Sequence, residues 1–314
     1  MGIEYESVVD HPLDEVWAWH ARPGAIHRLM PPWQPMKVLA ESQSLADGRA
    51  VLGLPGGLRW VARHDPAEFD PPHRFVDVLS TDGPLSWPAR VVGWWRHTHE
   101  FSAAVGGTRV HDRVDTTVPA RLLRATFVYR HRQLADDLAA HRDAGSSPMV
   151  VAISDASGLV GTALSAFLST GGHTVIPLVK GPADLSGVDA VVHLSGAPID
   201  LTKVDGPRAF VFASTIGDDD VPISDAGLRV VQVRTGQVVS ARGGWRQKKR
   251  PASPWIALDD LLDVYYRALY DTRLSGPVDA VAPSGTPPSQ LELLGHRFRH
   301  PRFSQALAHE LGHG

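Results

Sequence analysis

MVVAISDASGLVGTALSAFLSTGGHTVIPLVK, residues 149–180, carries two kinds of periodicity in immediate succession. The apolar run from Met149 to Ile153 reads as a buried strand, a turn of small residues follows, and Leu159 to Leu168 has apolar residues at helical spacing. Gly171-Gly172 stops that helix, and Thr174 to Val179 is a second β-branched run. Strand, turn, helix, strand is the βαβ unit that opens a dinucleotide-binding parallel sheet. Its turn needs glycine where the backbone bends sharply, where it approaches a pyrophosphate, and where helix and strand pack closely. In the frame D-x-x-G-x-x-G, Gly158 and Gly161 take two of these places and Asp155 takes the first. Two like charges about 4 Å apart oppose each other by on the order of 4 kcal/mol at an effective dielectric near 20. The sequence therefore predicts a pyrophosphate site weakened by Asp155, or an Asp155 that caps the helix beginning near Ser157.

Around this unit, the 314 residues are 43% hydrophobic with a formal net charge of -3, the profile of a globular chain of about two domains. No apolar run approaches the roughly 20 residues of a membrane span, and Met1 to Leu13 lacks a basic stretch followed by an apolar one, so a cytoplasmic protein without a membrane partner is expected. The absence of cysteine excludes disulfides, thiolate nucleophiles and thiolate metal sites. The near-neutral balance gives no nucleic-acid footprint.

Upstream, Ile3 to Val9 alternates as an edge strand, and Asp10-His11-Pro12 signals the start of a helix carrying Leu13, Val16 and Trp17. Strands are expected at Met36 to Ala40, Ala50 to Leu54, Leu58 to His64, Arg74 to Leu79, Trp94 to Phe101 and Thr108 to Thr117, separated by turn residues in the manner of an antiparallel meander. Val118 to Ala140 then has helical spacing. A curved sheet against a long helix encloses a cavity. His97 and His99 share one strand face, with Trp60 and Trp94 in neighbouring strands, which places Trp60, Trp94, His97 and His99 in a pocket for a small hydrophobic molecule. The blander reading puts both histidines on the solvent face. No metal is expected, because two ligands on one strand need a third.

The segments Glu4 to Pro35, Gly56 to Val78, WRHTHEF (Trp95 to Phe101) and Arg124 to His141 resemble the SRPBCC, or START-like, superfamily of polyketide cyclases and lipid carriers. Beyond the linker, VDAVVHLSGAP (Val188 to Pro198), PRAFVFASTIG (Pro207 to Gly217), LRVVQVRTGQVVS (Leu228 to Ser240) and SPWIALDDLLDVYYRAL (Ser253 to Leu269) resemble the extended short-chain dehydrogenases of epimerase type. The combination resembles actinobacterial fusions of the two. It implies an α+β helix-grip domain over 1–143, a linker over 144–148, an α/β Rossmann-like parallel-sheet domain with missing crossover helices over 149–294, and a short C-terminal segment over 295–314. It also implies NADP(H) bound by Asp155, Ser157, Gly158, Leu159 and Gly161 of the turn, by Lys180 at the extra phosphate, and by Ser195 and Gly196. Ser214 and Thr215 match the catalytic Ser/Thr position.

Departures from that pattern are as informative. Asp155 replaces a glycine, so NADP(H) binding is expected to be weakened. No Tyr-x-x-x-Lys pair follows Thr215, Ala257 replaces a histidine, and the connections after Lys180 and after Pro198 are short. A sheet face that is bare, or covered by the first domain, is expected from these shortenings, and with a bare face a homodimer. His309-Glu310-Leu311-Gly312-His313 spells the zinc-protease motif but lacks a downstream third ligand, so it is read as the end of the domain. The functional expectation is small apolar ligand binding by the first domain, with a catalytically impaired, structural or regulatory second domain. The alternatives are an NADP-dependent oxidoreductase or epimerase, and a cyclase or lyase acting through His97, His99 or His64.

Overall fold

Alternating burial builds the first half of the chain as an antiparallel sheet. In β7 (Gly107–Thr116), for example, Thr108, Val110, Asp112, Val114 and Thr116 are buried while their neighbours are not. A computed structural model gives the coordinates. It describes all residues except 1, 82–84, 86–90, 146, 179–184, 196–206, 220–227, 244–249, 252–253, 284–287 and 313–314. Two compact units result, Met1–Ala139 and Ala140–Leu311.

In the first unit, β1 (Gly2–Val9) leads into α1 (Leu13–Ala21) and α2 (Ala25–Leu29). There follow β2 (Lys37–Ala40), β3 (Arg49–Gly53), β4 (Arg59–His64), β5 (Arg74–Ser80), β6 (Trp95–Ala104), β7 and the long helix α3 (Ala120–Ala144). The strands form one sheet in the order β1-β7-β6-β5-β4-β3-β2, with every neighbouring pair antiparallel. Val9, Val16, Trp19, Phe75, Phe101 and Leu134 form its main core. Within this core Arg28, 1% exposed, forks onto the fully buried Asp137 of α3 with bonds of 2.8 and 2.7 Å, and Gln133 Nε2 donates to the same carboxylate. This pair fixes α2 on α3.

In the second unit, β8 (Val150–Ser154), α4 (Leu159–Thr170) and β9 (Thr174–Leu178) realise the opening βαβ unit. With β10 (Ala190–His193), β11 (Ala209–Thr215), β12 (Arg229–Thr235) and, after β13 (Gln237–Val239) and β14 (Trp255–Ala257), β15 (Gly276–Ala280), they make a six-stranded sheet ordered β15-β12-β11-β10-β8-β9. Every neighbouring pair is parallel, and the direction of winding reverses between β8 and β10. A parallel order with one reversal is that of open α/β sheets, whose ligands lie at the carboxyl ends of the strands flanking the switch point. Among the described residues no helix joins β9 to β10, β10 to β11 or β11 to β12, and 179–184, 196–206 and 220–227 lie outside them. The bare face expected from the short connections is not found at Ala152, Val191, Phe210 and Val230, which are buried in a second apolar cluster.

The helix α5 (Leu258–Tyr270) is buried almost all round, including Asp259, Asp260 and Asp263. These acids do not simply begin a solvated helix. The Arg299 guanidinium donates to both oxygens of Asp263 at 2.6 Å, Asp260 accepts from the backbone N–H groups of Arg299 and His300, and, beyond the short α6 (Gln290–Leu293), His309 of α7 (Phe303–Leu311) meets Asp259 at 3.0 Å. The C-terminal segment is thus held by buried charge. Residues expected to form a free linker are tied to α5 as well, since Tyr266 and Tyr270 donate to the carbonyls of Gly145 and Ser147.

Removing one partner of a buried ion pair leaves the other uncompensated, so Arg28→Ala and Asp137→Ala should each destabilise the first unit by about 3–5 kcal/mol. Urea unfolding of the double variant should show much less than the sum, because both singles remove the same pair.

Candidate functional site

The inner face of β3 to β6, together with α1 and α2, surrounds a cavity of 120 Å³. Its lining mixes the apolar Ile26, Leu29, Leu45 and Phe75 with His20, His64, Asp77, His97, His99 and Arg130. Strand period places His97 and His99 on the inward face, where both are 4% exposed. Register then decides their partners: Asp77 of β5 lies opposite His97, and Asp112 of β7 lies opposite His99.

Asp112 accepts from His97 Nε2 at 2.9 Å, from His99 Nδ1 at 2.7 Å, and from His131 Nε2 of α3 at 2.9 Å. The other ring nitrogen, His131 Nδ1, is hydrogen-bonded with the Ser7 hydroxyl, 2.6 Å away. On the other side of the two strand histidines, Asp77 Oδ2 lies 3.5 Å from His97 Nδ1 and 3.3 Å from His99 Nε2. Burial alone would raise both carboxyls. The imidazoles outweigh it, holding Asp112 well below the usual range and lowering Asp77. Burial, aided by His99, pushes His97 down to about 4, whereas Asp112 and Asp77 overcome burial to raise His99. Burial also lowers His20 to about 3 and lowers His64, and it raises Glu41. The arrangement sets His99, the ring whose affinity for a proton is raised, between two carboxylates on a cavity wall.

The cavity lining contains His97 and His99 but neither Trp60 nor Trp94. Trp60 packs edge-on against Trp95 with centroids 5.3 Å apart, and Trp94, preceding β6, is 50% exposed. The histidines are not on the solvent face. Asp77, Asp112 and His131, which complete the cluster, are not evident from local patterning because their partners lie on other elements. The signal available in sequence is parity alone, an acid at an inward position of the adjacent strand.

In the parallel unit, Asp155 has φ 51°, the left-handed conformation that a glycine would adopt freely. It does not cap α4 with its side chain. The N-cap is Gly158, without a side-chain bond, and Gly158 N–H donates to the Asp155 carbonyl at 3.0 Å. A Cβ on Gly158 would lie 2.5 Å from Asp155 Oδ2, and one on Gly161 would lie 2.1 Å from the Asp155 carbonyl oxygen. The turn thus keeps its tight shape, with a carboxylate over the helix N-terminus. Ser157 is exposed and Leu159 opens α4. Across the switch point, Ser154 Oγ meets His193 Nδ1 at 2.8 Å and accepts from the N–H groups of Leu194 and Ser195; Lys180 and Gly196 lie outside the described residues. At the end of β11, Ser214 Oγ donates to Asp218 at 2.8 Å and accepts from Gln232, while Thr215 N–H donates to the same Asp218 carboxylate. Of the protease-like motif, Glu310 accepts from Ala241 N–H and Ser240 Oγ, His309 pairs with Asp259, and His313 lies outside the described residues.

No family model matches the chain. The nucleoside-diphosphate sugar epimerase from Corynebacterium glutamicum is similar along nearly the whole length, with 32% identity and a TM-score of 0.84 over 99% of this chain and 90% of that one. Epimerase family proteins of Mycobacterium bovis and Mycobacterium tuberculosis are 25% identical over 43% of this chain and 74% of theirs. The fold class is that of a two-domain protein with an antiparallel-sheet unit and a parallel-sheet unit. The chain belongs to the epimerase family.

A neutral buried histidine carries a testable pH dependence. His20 donates to the Val16 carbonyl and faces the charged groups His99, Asp112 and Arg130. Its folded pKa, about 3, lies below the unfolded value, so between pH 6.5 and 3 the unfolded chain binds a proton that the folded chain refuses. Stability therefore falls with pH across that window, by up to about 1.4 kcal/mol per unit. Urea unfolding at pH 6.5 and pH 5 should show His20→Leu losing about 2 kcal/mol less than the wild type on acidification.

Proposed function

We propose that the antiparallel unit binds a small organic molecule with an apolar body and an anionic oxygen group, and that the parallel unit is an epimerase-type domain with an impaired dinucleotide site. One observation carries the first part. Arg130 lines the cavity with its Nε buried and without a hydrogen-bond acceptor among the described residues. An unmet buried donor costs about 1–3 kcal/mol, and a carboxylate, enolate or phosphate oxygen on a ligand would recover it. The resemblance to START-like ligand carriers supports the same reading. Benzoate and hexanoate are suitable probes by calorimetry. Saturable binding that weakens at least about tenfold in Arg130→Met is expected; no binding to the wild type, or equal binding to both, overturns the reading.

The second part is supported by family membership and by the retained Gly158-Gly161 turn, set against Asp155 and the missing Tyr-x-x-x-Lys pair. Asp155→Gly relieves both the left-handed strain and the repulsion of a pyrophosphate. NADPH should bind this variant at least about tenfold more tightly than the wild type, read by fluorescence titration. Micromolar binding by the wild type, unchanged in the variant, would instead favour an active NADP-dependent epimerase or oxidoreductase that acts through Ser214 or Thr215.

A further inference from the structure

We propose that Asp77, His97 and His99 form a binding site for a divalent transition-metal ion, zinc(II) foremost, with one coordination position open to the cavity. Spacing supports it first. Asp77 Oδ2 lies 3.5 Å from His97 Nδ1 and 3.3 Å from His99 Nε2, and one ligand atom from each of the three residues falls within 4.8 Å of the others. A tetrahedral ion with bonds of about 2.0–2.1 Å separates its ligand atoms by about 3.3 Å. The rings need little movement to take up an ion.

The hydrogen-bond chemistry points the same way. Each ring has one nitrogen on Asp112 and the other toward Asp77. These contacts between two rings and two carboxylates require an N–H on every nitrogen, yet a neutral imidazole carries one N–H. Asp112 can be met by neutral rings, His97 through Nε2–H and His99 through Nδ1–H. Without a metal, a proton on His99 Nε2 meets Asp77; with that proton released, His97 Nδ1, His99 Nε2 and the Asp77 carboxylate present three electron-pair donors to a cation. Asp112 in this arrangement does what carboxylates behind metal-bound histidines do: it fixes the tautomer and the ring orientation. Packing adds preorganisation, since His99 stacks on Phe75 at 4.1 Å and His97 stands edge-on to Phe127 at 5.3 Å.

The donor set of two imidazoles and one carboxylate suits zinc and its neighbours in the transition series better than magnesium or calcium. All three residues line the cavity, so the fourth position takes water or an oxygen of a bound ligand. The metal site stands without any organic ligand; only the occupant of the fourth position rests on the cavity reading above. A second cluster, Asp259, His300 and His309, is wholly buried and already joins α7 to α5, which makes it the competing location.

The test uses the full chain stripped with a chelator and titrated with zinc chloride alone, by calorimetry and by metal analysis after gel filtration. One zinc per chain is expected, with affinity falling at least about a hundredfold in His99→Gln, and about 10–100-fold in Asp112→Asn. His309→Gln should leave it unchanged. Should the cavity variants fail to fold, anomalous diffraction at the zinc edge from wild-type crystals decides the matter: a peak between Asp77, His97 and His99 sustains the proposal. No retained zinc, a peak at Asp259 and His309, or undiminished binding in folded His99→Gln overturns it.

Discussion

A carboxylate that is 4% exposed cannot stay ionised without partners, and Asp112 has three of them. Two imidazoles come from β6 and one from α3, so a single charge ties the middle of the sheet to the helix laid against it. The cluster depends on register. A slip of one residue between β6 and β7 would turn Asp112 to the opposite face and leave three buried imidazoles without their acceptor. The same bonds orient His97 and His99, so the wall of the cavity is built by the interaction that pins the strands. Structure and site are one network here, which is why the orientation of the two strand histidines follows from geometry.

The parallel unit solves a different problem with the same physics. Helix α5 is buried on nearly every side, and its three acids are acceptable there because Arg299, the backbone N–H groups of Arg299 and His300, and His309 satisfy them. Burial and the neighbouring Asp263 hold Asp260 well above the usual carboxylate range, even against Arg299. The C-terminal segment is accordingly an integral part of this unit. The dinucleotide-type turn keeps the close approach that Gly161 allows, and Asp155 accepts a left-handed backbone to preserve it.

Much of this was legible residue by residue. Alternating patterns located all seven strands of the antiparallel sheet, and the switch from period 2 to helical spacing located α4 and α3 within a few residues. That His97 and His99 share one strand face was recognisable from parity alone; that this face is the inward one was not. What local pattern misplaced depended on neighbours elsewhere. Trp94 sits just outside β6 and half exposed, Asp155 makes no side-chain cap bond to α4, and the sheet face expected to be bare is buried at Ala152 and Phe210.

The sequence by itself determined two sheets of different kind, the placement of a carboxylate in a glycine position, and a tyrosine and lysine missing where the dehydrogenase pattern has them. Those are properties of single positions and of short-range period. Only the tertiary structure decided that Asp77, Asp112 and His131 converge on His97 and His99, because strand register and the packing of α3 bring together residues that spacing along the chain leaves unrelated. A pairwise contact between distant segments is a property of the packed core, and the chemistry of this cavity is made of such contacts.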